Sequence, residues 1–232
     1  MSSGRTPRWS LALVVVALVV TGGISFKELA GDETTKTLTT VSADQLDRAE
    51  TDLASLSVGD RGVLDGYDRD AFDHWTDPDG NGCDTRNDIL ARDLAAETVD
   101  DDGCTVLTGT LTDPYGGETI DFERGEHSAE VQIDHVVALA NAWRTGADAW
   151  DDTTREEFAN DPANLLAVDG PLNGQKSASD AAGWLPPAAG FRCAYVVRQI
   201  EVKAGYGLSV TADEHDAMAE VLDSCTVADT RG

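Results

Sequence analysis

The chain has 232 residues, enough for one well-buried core or one core with an appendage. Its 43 acidic residues against 17 basic ones leave a net charge of −26. That balance argues against an ordinary nucleic-acid binder, because phosphate contacts want Lys and Arg. It fits either an acidic secreted protein or a protein from very salty surroundings. In molar salt the Debye length is only about 3 Å, and a dense carboxylate surface maintains solubility. The Asp, Glu, Thr and Val richness, with six Lys and Arg before residue 65, favours the halophilic reading.

Residues 1–26 read as an export segment. Arg5 and Arg8 precede an apolar run of ten, 11–20, and Thr21-Gly22-Gly23 follows, the pattern of a secretory signal. The eighteen mostly apolar residues from Trp9 to Phe26 are also just long enough to span a bilayer, so an uncleaved N-terminal membrane anchor is the alternative. Either way the remainder is expected outside the cytoplasm, secreted or tethered facing outward. Residues 27–64 read as a polar linker containing one helix, 42–56. Ser42 with Gln45 forms a capping box, and Leu46, Ala49, Leu53 and Leu56 share a face. This helix either packs on the domain or extends a stalk.

The globular domain is expected over 65–228. Tyr67, Phe72 and Trp75 are its first aromatic anchors. Residues 77–82, Asp-Pro-Asp-Gly-Asn-Gly, read as a turn, because the terminal Glu of a calcium loop is missing. Residues 87–98 predict a helix. Residues 105–111 and 118–122 predict a β-hairpin around Pro114-Tyr115-Gly116-Gly117. A strand over 130–135 places Val131 and Ile133 on one side, Gln132 and Asp134 on the other, with His135 at its end. A helix over 136–144 and a short strand over 165–168 follow. Pro171 suits the first turn of a helix that would carry Asn173 and Lys176 on one face. Two helices, 191–203 and 211–222, close the chain, the second with a capping box at Thr211 and Glu214.

Cys83, Cys104, Cys193 and Cys225 are an even set in an exported chain, so disulfides are expected, with Cys83–Cys104 and Cys193–Cys225 favoured because each closes a local unit. A zinc site is the rival reading, but no Cys-x-x-Cys spacing supports it.

The chemistry-bearing residues lie between 132 and 187. Asp134-His135, then Asn164-Leu165, then Asn173-Gly174-Gln175-Lys176 is similar to the HNH nuclease motif of the ββα-metal fold. Phosphodiester hydrolysis needs a base for water and a cation for the phosphate. The resemblance is closest to secreted HNH proteins grouped with the C-terminal nuclease domain of GmrSD-type restriction systems. It is carried by Gly82-Cys83-Asp84-Thr85-Arg86, Asp113-Pro114-Tyr115-Gly116-Gly117, Ile133-Asp134-His135-Val136-Val137, Ala142-Trp143, Gly146-Ala147, Asn164-Leu165, Asn173 to Lys176, Trp184-Leu185-Pro186-Pro187 and Cys193-Ala194-Tyr195. The chain departs from relatives at Ala138, where Pro is frequent, and at Ser177-Ala178-Ser179-Asp180, where Gly-Asp often follows the Lys directly.

The resemblance implies an α+β protein with a ββα-metal core, flanking helices and disulfides. It implies that Asp134 and Asn173 hold one Mg²⁺ or Mn²⁺, that His135 activates water, and that Asn164 orients the histidine through its backbone. The substrate implied is DNA, RNA not being separated, and the products would carry 5′-phosphate and 3′-hydroxyl ends. No DNA-reading element or basic stripe is present in the sequence, so binding without strong sequence preference is expected. Lys176, Arg86 and Arg124 are the candidate phosphate contacts, each also readable as an ordinary surface charge. His127 reads as a surface residue, and His74 and His215 have no supporting context. No obligate protein partner is implied. The rival readings are a catalytically inactive extracellular module and an acidic calcium-binding cell-surface domain.

Overall fold

The computed structural model describes residues 41–227 together with Met1. The export segment or anchor expected at 1–26, and most of the linker before residue 41, lie outside the described residues. No helix among the described residues is long and apolar enough to cross a membrane.

The chain mixes helix and sheet, as the expected α+β class requires: two small antiparallel sheets are joined and flanked by seven α-helices among the described residues. Helix α1, Ala43–Ser55, begins at Ser42, whose hydroxyl accepts from Gln45 N while the Gln45 side chain accepts from Ser42 N. That capping box is the one expected from the sequence. Its Ala49 and Leu53 are buried in a core shared with Tyr195, Val196 and Ile200. The helix is therefore packed on the domain, and the packed unit reaches back to Val41, ahead of the boundary expected at Asp65.

Helix α2, Thr85–Asp93, is shorter than the expected 87–98. Strand β1, Leu94–Val99, replaces its second half and pairs with β2, Val106–Thr112. Ala95, Ala96 and Glu97 favour helix in isolation, but β2 offers a ladder of backbone partners that a helix here would forfeit. The pairing is irregular, and Ala96 takes a positive φ of 52° at the bulge. Strand β3, Thr119–Glu123, completes the sheet in the order β1-β2-β3, with the expected hairpin intact. The 77–82 turn holds itself through its own side chains, Asp77 accepting from Asn81 N and Gly82 N. Both expected disulfides form, Cys83–Cys104 and Cys193–Cys225.

The second sheet pairs β4, Val131–His135, with β5, Leu165–Asp169. Side chains alternate across a strand. In β5, Leu165 and Ala167 enter the core beneath the first sheet, with Ile89, Val106 and Phe122. Leu166 and Val168 enter the helical core with Tyr195 and Met218. The β4–β5 pair is thus buried on both faces. Between its strands lie α3, Leu139–Thr145, and α4, Asp152–Asn160. Helix α5, Gly170–Lys176, follows β5 directly, with Asp169 capping Leu172 N and Pro171 in the first turn. Gly170 is fixed by close approach: a Cβ there would sit 2.1 Å from Ala129 O.

Helices α6, Arg192–Gly205, and α7, Ala212–Asp223, close the fold. The Cys193–Cys225 bridge ties the first turn of α6 to the end of α7. Half of the expected capping box at Thr211 is present. Thr211 accepts from Glu214 N, but the Glu214 carboxylate turns inward to Lys203 at 2.7 Å.

Candidate active site

One cleft of about 270 Å³ opens at the end of β4, against α5. Asp134, His135 and Asn173 line it, so the structure gathers three residues separated by up to 39 positions. Tyr67, Arg69 and Gln132 also line it.

His135 is the best-defined group. It is 4 % exposed and its Nε2 lies 2.8 Å from Ala159 O, at the C-terminal end of α4. A carbonyl only accepts, so Nε2 carries the proton and Nδ1 keeps its lone pair. Nδ1 has no hydrogen-bond partner among the described residues. Burial lowers the imidazole pKa to about 3, and the charge of Arg69 acts in the same direction, against the Ala159 hydrogen bond. The ring is neutral at any ordinary pH. Trp75 and His74 pack against it, with centroids 5.6 Å and 6.5 Å away. His74 therefore has a structural context that the sequence did not reveal.

Asp134 is 5 % exposed and already engaged. The Tyr115 hydroxyl donates to its Oδ2 at 2.5 Å, and Lys176 Nζ donates to Oδ1 at 3.0 Å. Burial pushes the carboxyl upward in pKa; Lys176 and the Tyr115 hydrogen bond pull it down. The Tyr115 hydroxyl is pushed well above its ordinary value by burial and by the Asp134 charge, so it remains a donor.

Lys176 corrects the expectation of a solvated charge or phosphate contact. It is 0 % exposed, and it bridges Asp134 and the backbone oxygen of His135, at 2.9 Å. The final turn of α5 points it beneath β4, where the buried carboxylate compensates its charge. Asn173, one turn earlier, stays at the cleft and donates through Nδ2 to Gln132 Oε1 at 2.9 Å. That bond leaves Asn173 Oδ1 unengaged.

Asn164 acts on the backbone, though not on the histidine's own. Its carbonyl accepts from Val136 N at 2.8 Å, and its side chain accepts from Val137 N at 2.8 Å. These bonds hold residues 136 and 137 against Asn164, and α3 starts only at Leu139, later than the expected 136. Asp113 fixes the other flank. Its carboxylate accepts from Tyr115 N, Gly116 N and Asp169 N, tying the turn that carries Tyr115 to the start of α5.

Arg86 and Arg124, the other candidate phosphate contacts, do not line the cleft. Arg124 donates to Val106 O and to Asn87, bracing α2 against β2. Arg86 lies beside it on α2, and burial and the Arg124 charge lower its pKa. His127 pairs with Glu130 on the surface, as expected.

The donors fit a hard divalent ion in kind. Asn173 Oδ1 is unengaged, and the Asp134 oxygens retain lone pairs beyond their two partners. The Lys176 charge cancels that of Asp134, however, so the protein contributes little net negative charge at the site. Such a site suits an ion that keeps most of its waters.

The fold and cleft define a mixed helix-and-sheet protein with a strand–strand–helix unit that presents a neutral histidine, a carboxylate and an amide to one opening. Residues 84–221 match the family model described as GmrSD restriction endonucleases, C-terminal domain, and the chain belongs to that family. An uncharacterized secreted protein of Arthroderma benhamiae is 38 % identical over 179 residues, covering 76 % of this chain and 84 % of that protein. No solved structure matches. The family match contains Tyr115, Asp134, His135, Asn164, Asn173 and Lys176. It begins after Tyr67, Arg69 and His74.

Proposed function

We propose that the protein is an extracytoplasmic HNH-type endonuclease that hydrolyses phosphodiester bonds of DNA, with RNA as a further substrate to be tested. The observation that carries this reading is the histidine. The hydrogen bond from Nε2 to Ala159 O commits the proton to that side and leaves the Nδ1 lone pair as a base in a cleft shared with Asp134 and Asn173.

In this reading His135 Nδ1 takes a proton from a water as the water oxygen bonds to phosphorus. The bond from phosphorus to O3′ breaks, the departing oxygen takes a proton from solvent, and the 5′ end keeps the phosphate. A bound Mg²⁺ or Mn²⁺ would supply charge at the phosphate and lower the pKa of a coordinated water. Asn173 Oδ1 and the remaining lone pairs of Asp134 are the groups that would hold it. Asn164 holds the 136–137 backbone and Lys176 the His135 carbonyl, so both act by positioning the base. The intact set of Asp134, His135 and Asn173 disfavours an inactive module.

Export is supported by the N-terminal segment, the two disulfides and the secreted relative. The charge of −26 opposes DNA binding at low salt. We therefore place the working environment at high salt, where repulsion beyond about 3 Å is screened at 1 M. The test is plasmid cleavage by the full chain with disulfides intact, in Mg²⁺ or Mn²⁺, from low to molar KCl. The reading predicts nicked and linear products with ligatable 5′-phosphate ends, and none in EDTA. A folded protein that cuts neither DNA nor RNA at any salt would end it.

A further inference from the structure

We propose that Arg69 is a substrate-contacting residue, its guanidinium donating to a non-bridging oxygen of the scissile phosphate across the cleft from His135. The proposal rests on the nuclease reading above. It adds a residue that lies ahead of the matched family region, 84–221.

Three observations carry it. First, Arg69 is the one cationic side chain among the described residues lining the cleft. Second, it has no carboxylate within ion-pair distance among the described residues, whereas Arg61, Arg92 and Arg155 are each paired. Most of the described arginines likewise lack a carboxylate partner; Arg69 is the one that does so at the cleft, beside Asp68, Asp70 and Asp73. Asp68 is turned away to cap Asp70 N. Third, its backbone is anchored. Arg69 opens the 3-10 turn Arg69–Phe72, and Phe72 is fully buried, its ring 6.4 Å from Phe158 and 6.5 Å from Trp143. The anchored turn fixes where the Arg69 side chain starts, so only the side chain must be ordered when its guanidinium meets an anion.

A guanidinium suits this task because its fork of N–H donors matches phosphate oxygens. The charge of Arg69 also bears on both Asp134 and His135, which places it within electrostatic reach of the reacting centre. In an acidic protein, the guanidinium is the charged donor that this cleft offers a phosphodiester.

The test uses Arg69→Ala and Arg69→Lys in the full chain. Arg48→Ala, exposed on α1, is the control for the lost charge. Cleavage should fall about 10²-fold in Arg69→Ala, recover in part with Lys, and stay within twofold in Arg48→Ala, with melting temperatures unchanged. Equal rates in wild type and Arg69→Ala, or equal losses in Arg69→Ala and Arg48→Ala, would overturn the proposal. A second arm measures binding of a short DNA duplex in a His135→Gln background. Adding Arg69→Ala should reduce the salt slope by about one. If wild type cuts nothing, the nuclease reading fails, and this binding arm alone decides Arg69: an unchanged slope rejects it.

Discussion

Two lysines in this protein are buried against carboxylates, in different settings. Lys203 on α6 meets Glu214 on α7 at 2.7 Å, both side chains 1 % exposed, and also donates to Ser209 O. None of these groups lines the cleft. Lys176 meets Asp134 at 3.0 Å, equally hidden, but Asp134 also takes the Tyr115 hydroxyl, and Lys176 also holds the His135 carbonyl. A buried ion pair alone says little about function, since desolvation offsets most of its attraction. The second pair differs because its carboxylate reaches a cleft and its lysine fixes the backbone of the neutral His135.

The comparison breaks or holds on the lysines themselves. Lys176→Met and Lys203→Met should each destabilise the fold by about 3–5 kcal/mol, because each leaves a buried carboxylate uncompensated. Only Lys176→Met should also reduce cleavage by the folded fraction, at least about tenfold, through the lost support of His135. Thermal unfolding beside plasmid cleavage checks both. An equal loss of activity in Lys203→Met would remove the distinction.

Acid sharpens it further. The pKa of His135 is about 3 in the fold and 6.5 in the unfolded chain. Below pH 6.5 the unfolded state binds a proton that the native state refuses, so this contribution is fully present above 6.5 and drains away as pH falls towards 3. The limit is about 5 kcal/mol, at roughly 1.36 kcal/mol per pH unit. Urea unfolding in EDTA from pH 7 to 4 should show the decline, and His135→Gln should flatten it. A slope unchanged by that substitution would mean that the ring is not held neutral.

A smaller effect tests the structural side. Replacing Cys193 and Cys225 together opens a link across 32 positions at the end of the α6–α7 pair opposite Lys203. It should cost about 2–4 kcal/mol and leave cleavage per folded molecule intact. Smallest of all, Lys203→Met with Glu214→Leu removes both charges at once and should change stability by about 1 kcal/mol or less. The equivalent Lys176→Met with Asp134→Leu should fold yet cut no DNA.

The sequence revealed what depends on short spacing. The hairpin of β2 and β3, the cap of α1, both disulfides, the strand ending at His135 and the helix opened by Pro171 follow from local pattern. Asp134, His135 and Asn173 do share a cleft. What could not be read depends on pairing across the chain. Lys176 lies 42 positions from Asp134, and only the stacking of α5 beneath β4 hides its charge. Tyr115 reaches Asp134 only because Asp113 pins its turn to β5. Residues 94–98 carry helical propensity that β2 overrides. Arg69 had a faint signal, a single cation among Asp65, Asp68, Asp70 and Asp73, but nothing local aims it at His135.

The most direct test of the central claim is cleavage by His135→Gln, which keeps an N–H donor for Ala159 O and has no basic nitrogen. With the fold verified by its melting temperature, the rate should fall by about 10²–10⁴. A rate within twofold of wild type would contradict the assignment of His135 as the base.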